Sequence, residues 1–239
     1  MKTPQPDLRT PARQPRARTL RAYPPRSGYR EPKPLAAPVT PVVTPTAPEA
    51  PAGFRTLVAA DLYRKTGRKD LNALLGALAA DAGFKHAFWF RAASACRANK
   101  TLRRTVYPLV RAVYNHYQYK HGVFIPPTTR VGPGLYLEHL GDIVVNGRAV
   151  IGKNCNLGNG VTIGQTNRGA RQGVPNIGDN VFIGPGAKII GGVSVGDNAA
   201  VGVNCVVVRD VPADAVIAAG AGQVVSYRGS SGYVNRTEY

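Results

Sequence analysis

Residues 177–206 read Ile177-Gly-Asp-Asn-Val-Phe, Ile183-Gly-Pro-Gly-Ala-Lys, Ile189-Ile-Gly-Gly-Val-Ser, Val195-Gly-Asp-Asn-Ala-Ala and Val201-Gly-Val-Asn-Cys-Val, five hexads without a gap. An aliphatic residue opens each hexad, Gly usually follows, and a small or aliphatic residue returns at the fifth position. The same frame extends back through Val131-Gly-Pro-Gly-Leu-Tyr, Ile151-Gly-Lys-Asn-Cys-Asn and Leu157-Gly-Asn-Gly-Val-Thr, so the ladder runs from Ile125 to about Val211. A period of six does not match the helical period of about 3.6, and Gly and Asn at nearly every turn would destabilise a helix. The pattern suits a β-solenoid instead. Each hexad supplies one short strand and a turn, three hexads close a triangular coil, and the aliphatic first position points into a core completed by the neighbouring coils. Gly and Asn meet the positive φ that the corners require. Roughly a dozen hexads give about four coils.

The ladder is interrupted twice, beside Glu138-His139, where Ile143-Val144 shifts the frame, and by the polar stretch Gln165 to Asn176. Extra residues in a strand array commonly re-aim side chains near active sites, so a bulge at the first break would turn His139 outward into a groove. Of the four histidines, His139 alone falls in the coil region. His86, His116 and His121 belong to the helical part and read as packing or surface residues.

Ahead of the coils, residues 54–122 read as helical. Leu57, Leu62, Leu71, Leu74, Leu75 and Leu78 are spaced for a buried face, with Gly67, Gly83 and Gly122 as breaks. A second helical stretch covers Phe84 to Ala98, a third runs from Thr101 through Tyr117, and Pro126-Pro127 ends any helix. Residues 1–53 are rich in Pro and poor in large apolar side chains, so they read as a disordered basic tail. Residues 123–225 form the coil domain, and 226–239 read as a flexible C-terminal tail. No apolar h-region follows the first basic residues and no apolar run reaches the length of a membrane span, so neither a secretory signal nor a spanning helix is expected. The abundant Pro spoils an amphipathic transit helix.

The net charge of +18 is unevenly spread. The tail holds nine basic and three acidic residues, net +6; the helical part thirteen and three, net +10; the remainder nine and seven, net +2. A nucleic-acid enzyme would be expected to carry its basic face around the catalytic element. Here that element is nearly neutral, so no nucleic-acid partner is expected. Two readings remain for the basic helical part: a solvated face, or contact with an anionic membrane or acidic polymer. Cys96, Cys155 and Cys205 form no disulfide framework and no metal spacing. Cys155 and Cys205 occupy fifth hexad positions and read as core residues. A solenoid carbonic anhydrase needs three imidazole ligands on zinc, which one coil histidine does not supply; no metal is expected.

The hexads, Leu137-Glu-His-Leu-Gly, the loop after Val161-Thr-Ile-Gly-Gln-Thr, the Ile183 to Gly192 segment and the Arg209-Asp-Val-Pro ending together resemble the hexapeptide-repeat acyltransferases. Within these the chain is most similar to serine acetyltransferases and the related proteins of surface polysaccharide synthesis, over about Asp61 to Val225. The resemblance implies a mainly β fold, a left-handed parallel β-helix preceded by a small helical region. It further implies a homotrimer with acetyl-CoA in grooves between subunits. The enzyme is expected in the cytoplasm, and the basic charge of the tail and helices leaves a place peripheral at the membrane as the alternative. Acetyl transfer to an alcohol needs a base that is largely neutral at working pH, and an imidazole, with an ordinary pKa of about 6.5, suits it. By resemblance His139 is that base and Glu138 a substrate-side acid; Asp142 is a nearby carboxylate with no family counterpart. The same resemblance puts coenzyme A near Gly164, Ala187, Gly202 and Arg209, small residues leaving groove space and Arg209 meeting a phosphate. L-serine is the implied acceptor.

Three departures stand out. Phe124-Ile-Pro-Pro occupies the place of the family's D-I-H-P, so the carboxylate that orients the histidine is missing. Gly173 and Val174 stand where the family carries the Arg-His pair that holds serine. Gln223 replaces the basic residue of the closing element. Arg168 and Arg171, in the Gln165–Asn176 loop, suit a hydroxyl-rich or anionic acceptor. A sugar hydroxyl is therefore the alternative acceptor, and a non-enzymatic trimeric scaffold the alternative to an enzyme.

Overall fold

The computed structural model describes residues 52–220. The basic tail, except for its last two positions, Gln223 and the C-terminal tail 226–239 lie outside the described residues. Five helices come first: α1 (Phe54–Thr66), α2 (Leu71–Ala80), α3 (Ala82–Ala98), α4 (Lys100–Thr105) and α5 (Tyr107–His121). Among the described residues none is long and apolar enough to cross a membrane.

The caps explain where the helices break. Gly67 and Gly122 end α1 and α5 in left-handed geometry, with φ 70 and 62°. Gly83 is not a break; the chain turns at Asp81, whose carboxylate accepts the Phe84 N–H at 2.7 Å and caps α3. Gly83 is buried in the first turn of α3, where a Cβ would collide with the Leu137 carbonyl oxygen. Asn99 caps α4 through the N–H groups of Thr101 and Leu102. The expected third helix is divided at Val106, just before Pro108, and ends at His121, well ahead of Pro126-Pro127. The expected leucine face is also corrected in part: Leu62 is buried, but Leu71 and Leu75 are 66% and 57% exposed. Short α2 packs through Ala73, Leu74, Ala77 and Leu78 instead.

Fourteen strands of two or three residues follow. The first coil holds β1 (Val123–Phe124), β2 (Arg130–Val131) and β3 (Tyr136–Leu137). The second holds β4 (Ile143–Val145), β5 (Val150–Ile151) and β6 (Asn156–Leu157), and the third β7 (Thr162–Gly164), β8 (Asn176–Ile177) and β9 (Phe182–Ile183). The fourth holds β10 (Lys188–Ile190), β11 (Ser194–Val195) and β12 (Ala200–Val201), before β13 (Val206–Val207) and β14 (Val216–Ile217). They stack into three parallel sheets, β1-β4-β7-β10-β13, β2-β5-β8-β11 and β3-β6-β9-β12-β14. The inward residues Ile151, Leu157, Ile163, Ile177, Ile183, Ile189, Val195 and Val201 are at most 1% exposed. At ~1.5–3 kcal/mol per buried aliphatic side chain, this column is the main source of the coil's stability. Cys155 and Cys205 lie inside it as expected, and burial pushes the Cys155 thiol up to about 12.

Register measures both interruptions. Ile177 pairs with Val195 and Ile189 with Val207, eighteen residues on, which is three plain hexads. Val131 pairs with Ile151 and Leu137 with Leu157, twenty residues on, so two extra residues enter at the first break. Ile151 pairs with Ile177 and Leu157 with Ile183, twenty-six residues on, so the second break adds eight. One corner shows why Asn recurs. Asn154, Asn180, Asn198 and Asp214 all take φ of 56–60°, and each Asn amide donates to the next side chain at 3.0 Å.

Helices and first coil are clamped by a buried ion pair. Asp61 of α1 and Arg91 of α3 are joined by bonds of 2.9 and 3.1 Å, their side chains 1% and 2% exposed. Asp61 also accepts the N–H groups of Gly134 and Leu135, and Arg91 donates to the carbonyls of Val131 and Gly132. Beside the clamp, Tyr114 donates to the Ile125 carbonyl at 2.7 Å, and the fully buried His86 lies against it.

Burial, and then the like charge of a protonated His121, lower the His86 imidazole from 6.5 to about 3. The folded state therefore favours neutral His86. Its contribution is complete above about pH 6.5 and is lost as pH falls toward 3, on the order of 5 kcal/mol over the window. Melting temperature should drop between pH 7 and 4 more steeply in the native protein than in His86→Gln; parallel pH profiles would contradict this.

Candidate active site

The first break is the corner between β3 and β4. Glu138, His139 and Asp142 are all exposed there. The two extra residues are absorbed by positive φ at Gly141 (117°) and Asp142 (53°), while Leu140 tucks against the core. The corner is held from both sides. From the helices, Lys65 donates to the Leu137 carbonyl at 3.2 Å, pairs with Asp81 at 3.3 Å and lies over the Tyr136 ring. From the coils, the Gly160 N–H donates to the Gly141 carbonyl at 2.8 Å, and the Ile143 N–H to Gly122 at 3.1 Å. A rigid frame thus presents a histidine to solvent.

No carboxylate among the described residues forms an ion pair with that histidine; the pairs are Lys65–Asp81, Arg68–Asp70, Arg91–Asp61, Lys153–Asp179 and Arg171–Asp210. Nor do the described residues contain a group of three His, Cys, Asp or Glu able to hold a metal. Phe124, in the place of the missing orienting acid, is 36% exposed on β1 beside Val144 of β4, so the strands next to this corner present an apolar surface.

The second break lies at the opposite edge of the first sheet, between β7 and β8. It is a closed excursion: Thr166 and Gly173 exchange two backbone bonds of 3.0 and 2.9 Å, and the Gly192 N–H holds the Arg171 carbonyl at 2.7 Å. Gly173 has φ of 140°, where L side chains are strained, and a Cβ would stand 3.2 Å from Gly192. The backbone itself therefore disfavours an arginine at that position.

Arg171 does not reach freely for an acceptor as the sequence suggested. It pairs with Asp210 at 2.6 Å and ties the loop to the last coil. Burial alone would raise the Asp210 carboxyl, but the Ser194 N–H and Arg171 outweigh it and hold it below the ordinary carboxylate range. Arg168 is exposed near the loop tip. At the loop base Gln165 accepts from Asn146 at 3.2 Å and Arg148 at 2.6 Å and donates to Asn167 at 2.8 Å, a polar cluster that the sequence reading missed.

Of the residues assigned to the donor, Ala187 needs correction. Its methyl is fully buried, because residue 187 is the fifth of its hexad and points inward, so it leaves no groove space. Gly164 and Gly202 are half-exposed, but close coil stacking already accounts for glycine at 202, where a Cβ would stand 2.9 Å from the Ile217 carbonyl oxygen. Arg209 is exposed and, with Val206, Val208 and Ile217, lines an open concavity of about 350 Å³. Also unforeseen is Lys188, whose ammonium donates to the Gly160 carbonyl at 2.5 Å and to Thr162 at 3.1 Å across the first sheet.

One chain thus carries the His139 corner and the Gln165–Asn176 loop on opposite edges of the same sheet and does not unite them. Known proteins share this architecture. The family model "Bacterial transferase hexapeptide (six repeats)" matches residues 175–209. A serine acetyltransferase of Synechococcus elongatus is 36% identical over 104 residues, 44% of this chain and 43% of that protein. A serine acetyltransferase of Staphylococcus aureus is 31% identical over 144 residues, 60% of this chain and 66% of that protein. This chain therefore spans less than two thirds of either relative. The crystal structure of Neisseria gonorrhoeae serine acetyltransferase in complex with serine is 30% identical, covers 72% of this chain and 68% of that one, and superposes with a TM-score of 0.57. The solenoid is accordingly a left-handed parallel β-helix, against the right-handed preference of most parallel crossovers.

Proposed function

This chain belongs to the serine acetyltransferase family of hexapeptide-repeat acyltransferases, and from that premise we propose that it transfers the acetyl group of acetyl-CoA to the hydroxyl of L-serine, with His139 as general base. The observation that carries this reading is the placement of the single coil histidine. It sits exposed at the corner where two extra residues interrupt the ladder, held from both sides by helices and coils.

In the proposed reaction, neutral His139 accepts the hydroxyl proton as that oxygen bonds to the thioester carbonyl carbon. Main-chain N–H groups hold the oxyanion, and the imidazolium returns the proton to the departing thiolate as the carbon–sulfur bond breaks. Glu138 and Asp142, on the same corner, are the carboxylates available to orient the imidazole or contact the acceptor's amine. The donor is assigned to the edge that includes Gly164 and Arg209 and to Gly202, with Arg209 meeting a phosphate. Separation of corner and loop on one chain supports a homotrimer, in which His139 of one copy faces the loop of the next. The reaction is assigned to the cytoplasm.

Gly173 and Val174 favour one alternative acceptor, a sugar hydroxyl, because neither can bind an amino-acid carboxylate through its side chain. Coenzyme A release measured with L-serine, and separately with nucleotide sugars, distinguishes the two. Saturable release with L-serine is expected. Release with sugars alone would overturn the acceptor, and no release with either would favour a non-enzymatic scaffold.

A further inference from the structure

The junction of α4 and α5 is the most exposed part of the helical region. Every residue from Arg97 to Val106 is exposed. Helical bonding continues through the break, the Val106 N–H donating to Leu102 at 3.0 Å and the Val110 N–H to Val106 at 3.1 Å. Leu102, Val106 and Leu109 are therefore spaced i, i+4 and i+7 along one stripe. They are 38%, 41% and 70% exposed. Arg97, Lys100, Arg103 and Arg104 are exposed along the same stretch, Arg103 next to the stripe and Lys100 and Arg104 further round the helix.

Between Asp81 and Glu138 the chain contains no acidic residue and nine basic ones. Asp81 is itself engaged by Lys65. No carboxylate within this stretch of chain offsets its basic residues, so an anionic partner complements the surface.

We propose that the α4–α5 junction docks on an anionic lipid bilayer. A two-fold contact with a second copy is disfavoured, because it sets the same patch against itself and would oppose Arg97, Lys100, Arg103 and Arg104 to their own kind. A three-fold contact joins two different patches and is separated from a bilayer by the molecular mass measured below. Nucleic acid supplies phosphates but no medium for an aliphatic stripe. A bilayer interface supplies both, headgroup charge for the basic residues and the acyl boundary for Leu102, Val106 and Leu109. The inference stands apart from the choice of acceptor and does not depend on the transfer reaction.

The test is co-sedimentation of the full-length protein with phosphatidylcholine vesicles, with and without phosphatidylglycerol. Binding is expected only with phosphatidylglycerol, and it should weaken with salt. Arg103→Gln/Arg104→Gln should lower partitioning by about 30-fold, from ~1 kcal/mol for each basic residue near the surface. Leu102→Ser/Leu109→Ser should also lower it, with the salt dependence retained. Both variants alter exposed side chains, so unchanged melting temperature and unchanged molecular mass by light scattering are expected alongside. Native binding by both variants would mean that another segment, such as the basic tail, carries the interaction, and would overturn the proposal. So would a fall in molecular mass, which would identify a subunit contact, or retention on duplex DNA without retention on vesicles.

Discussion

His139→Ala should lower acetyl transfer by about 10²–10⁴-fold, the usual contribution of a positioned general base, while leaving assembly and melting temperature unchanged. The separation of the two effects follows from where the residue sits. His139 is exposed, so its removal opens no cavity, and the corner around it is fixed by main-chain bonds from Gly141 and Ile143 and by Lys65 on the Leu137 carbonyl. None of those bonds uses the imidazole. Glu138→Gln and Asp142→Asn then ask which carboxylate serves the histidine. A positioning carboxylate should shift the acidic limb of the kcat/KM profile when neutralised, whereas one that contacts the acceptor should raise KM with that limb unmoved. If His139→Ala turned over within a few-fold of the native rate, the general-base assignment would fail even with the fold intact.

The coil was legible because its code is local. One residue in six, inward and aliphatic, repeats often enough to give the sheets, the core and the position of both insertions. The same code also exposed His139, as the coil's single histidine beside a two-residue frame shift. It could have placed Ala187 too. That residue holds the fifth position, the rule that correctly sent Cys155 and Cys205 inward, yet the family resemblance pointed to groove space. What could not be read were pairings across distance. Arg171 meets Asp210 thirty-nine residues on, and Asp61 meets Arg91 thirty residues on, with neither spacing belonging to any helical or strand period. The leucine pattern failed for a different reason. Leu71 and Leu75 satisfy helical spacing, but α2 has only ten residues and buries its other side, so periodicity identified the helix and not the face.

Asp61→Ala should lower stability by about 3–5 kcal/mol, the scale for breaking one partner out of a buried ion pair. The loss is larger than that of one hydrogen bond because the remaining groups cannot reach water. Arg91 would stay 2% exposed with only the Val131 and Gly132 carbonyls for company, and the N–H groups of Gly134 and Leu135 would lose their shared acceptor. For a domain of this size the melting temperature should fall by roughly 10 °C. Arg91→Met should cost a similar amount, leaving a carboxylate held by two peptide N–H groups alone. The double variant Asp61→Leu/Arg91→Met removes both charges and should be more stable than the sum of the single losses implies, a coupling that a double-mutant cycle measures. It should not return to native stability, because four main-chain groups of the first coil remain without their side-chain partners. Those groups lie at residues 131–135, directly before Leu137 and the His139 corner, so at temperatures where the variants stay folded their kcat should fall as well. A loss below 1 kcal/mol in Asp61→Ala, or strict additivity in the cycle, would show that the helices are held to the coil by apolar packing and not by this clamp.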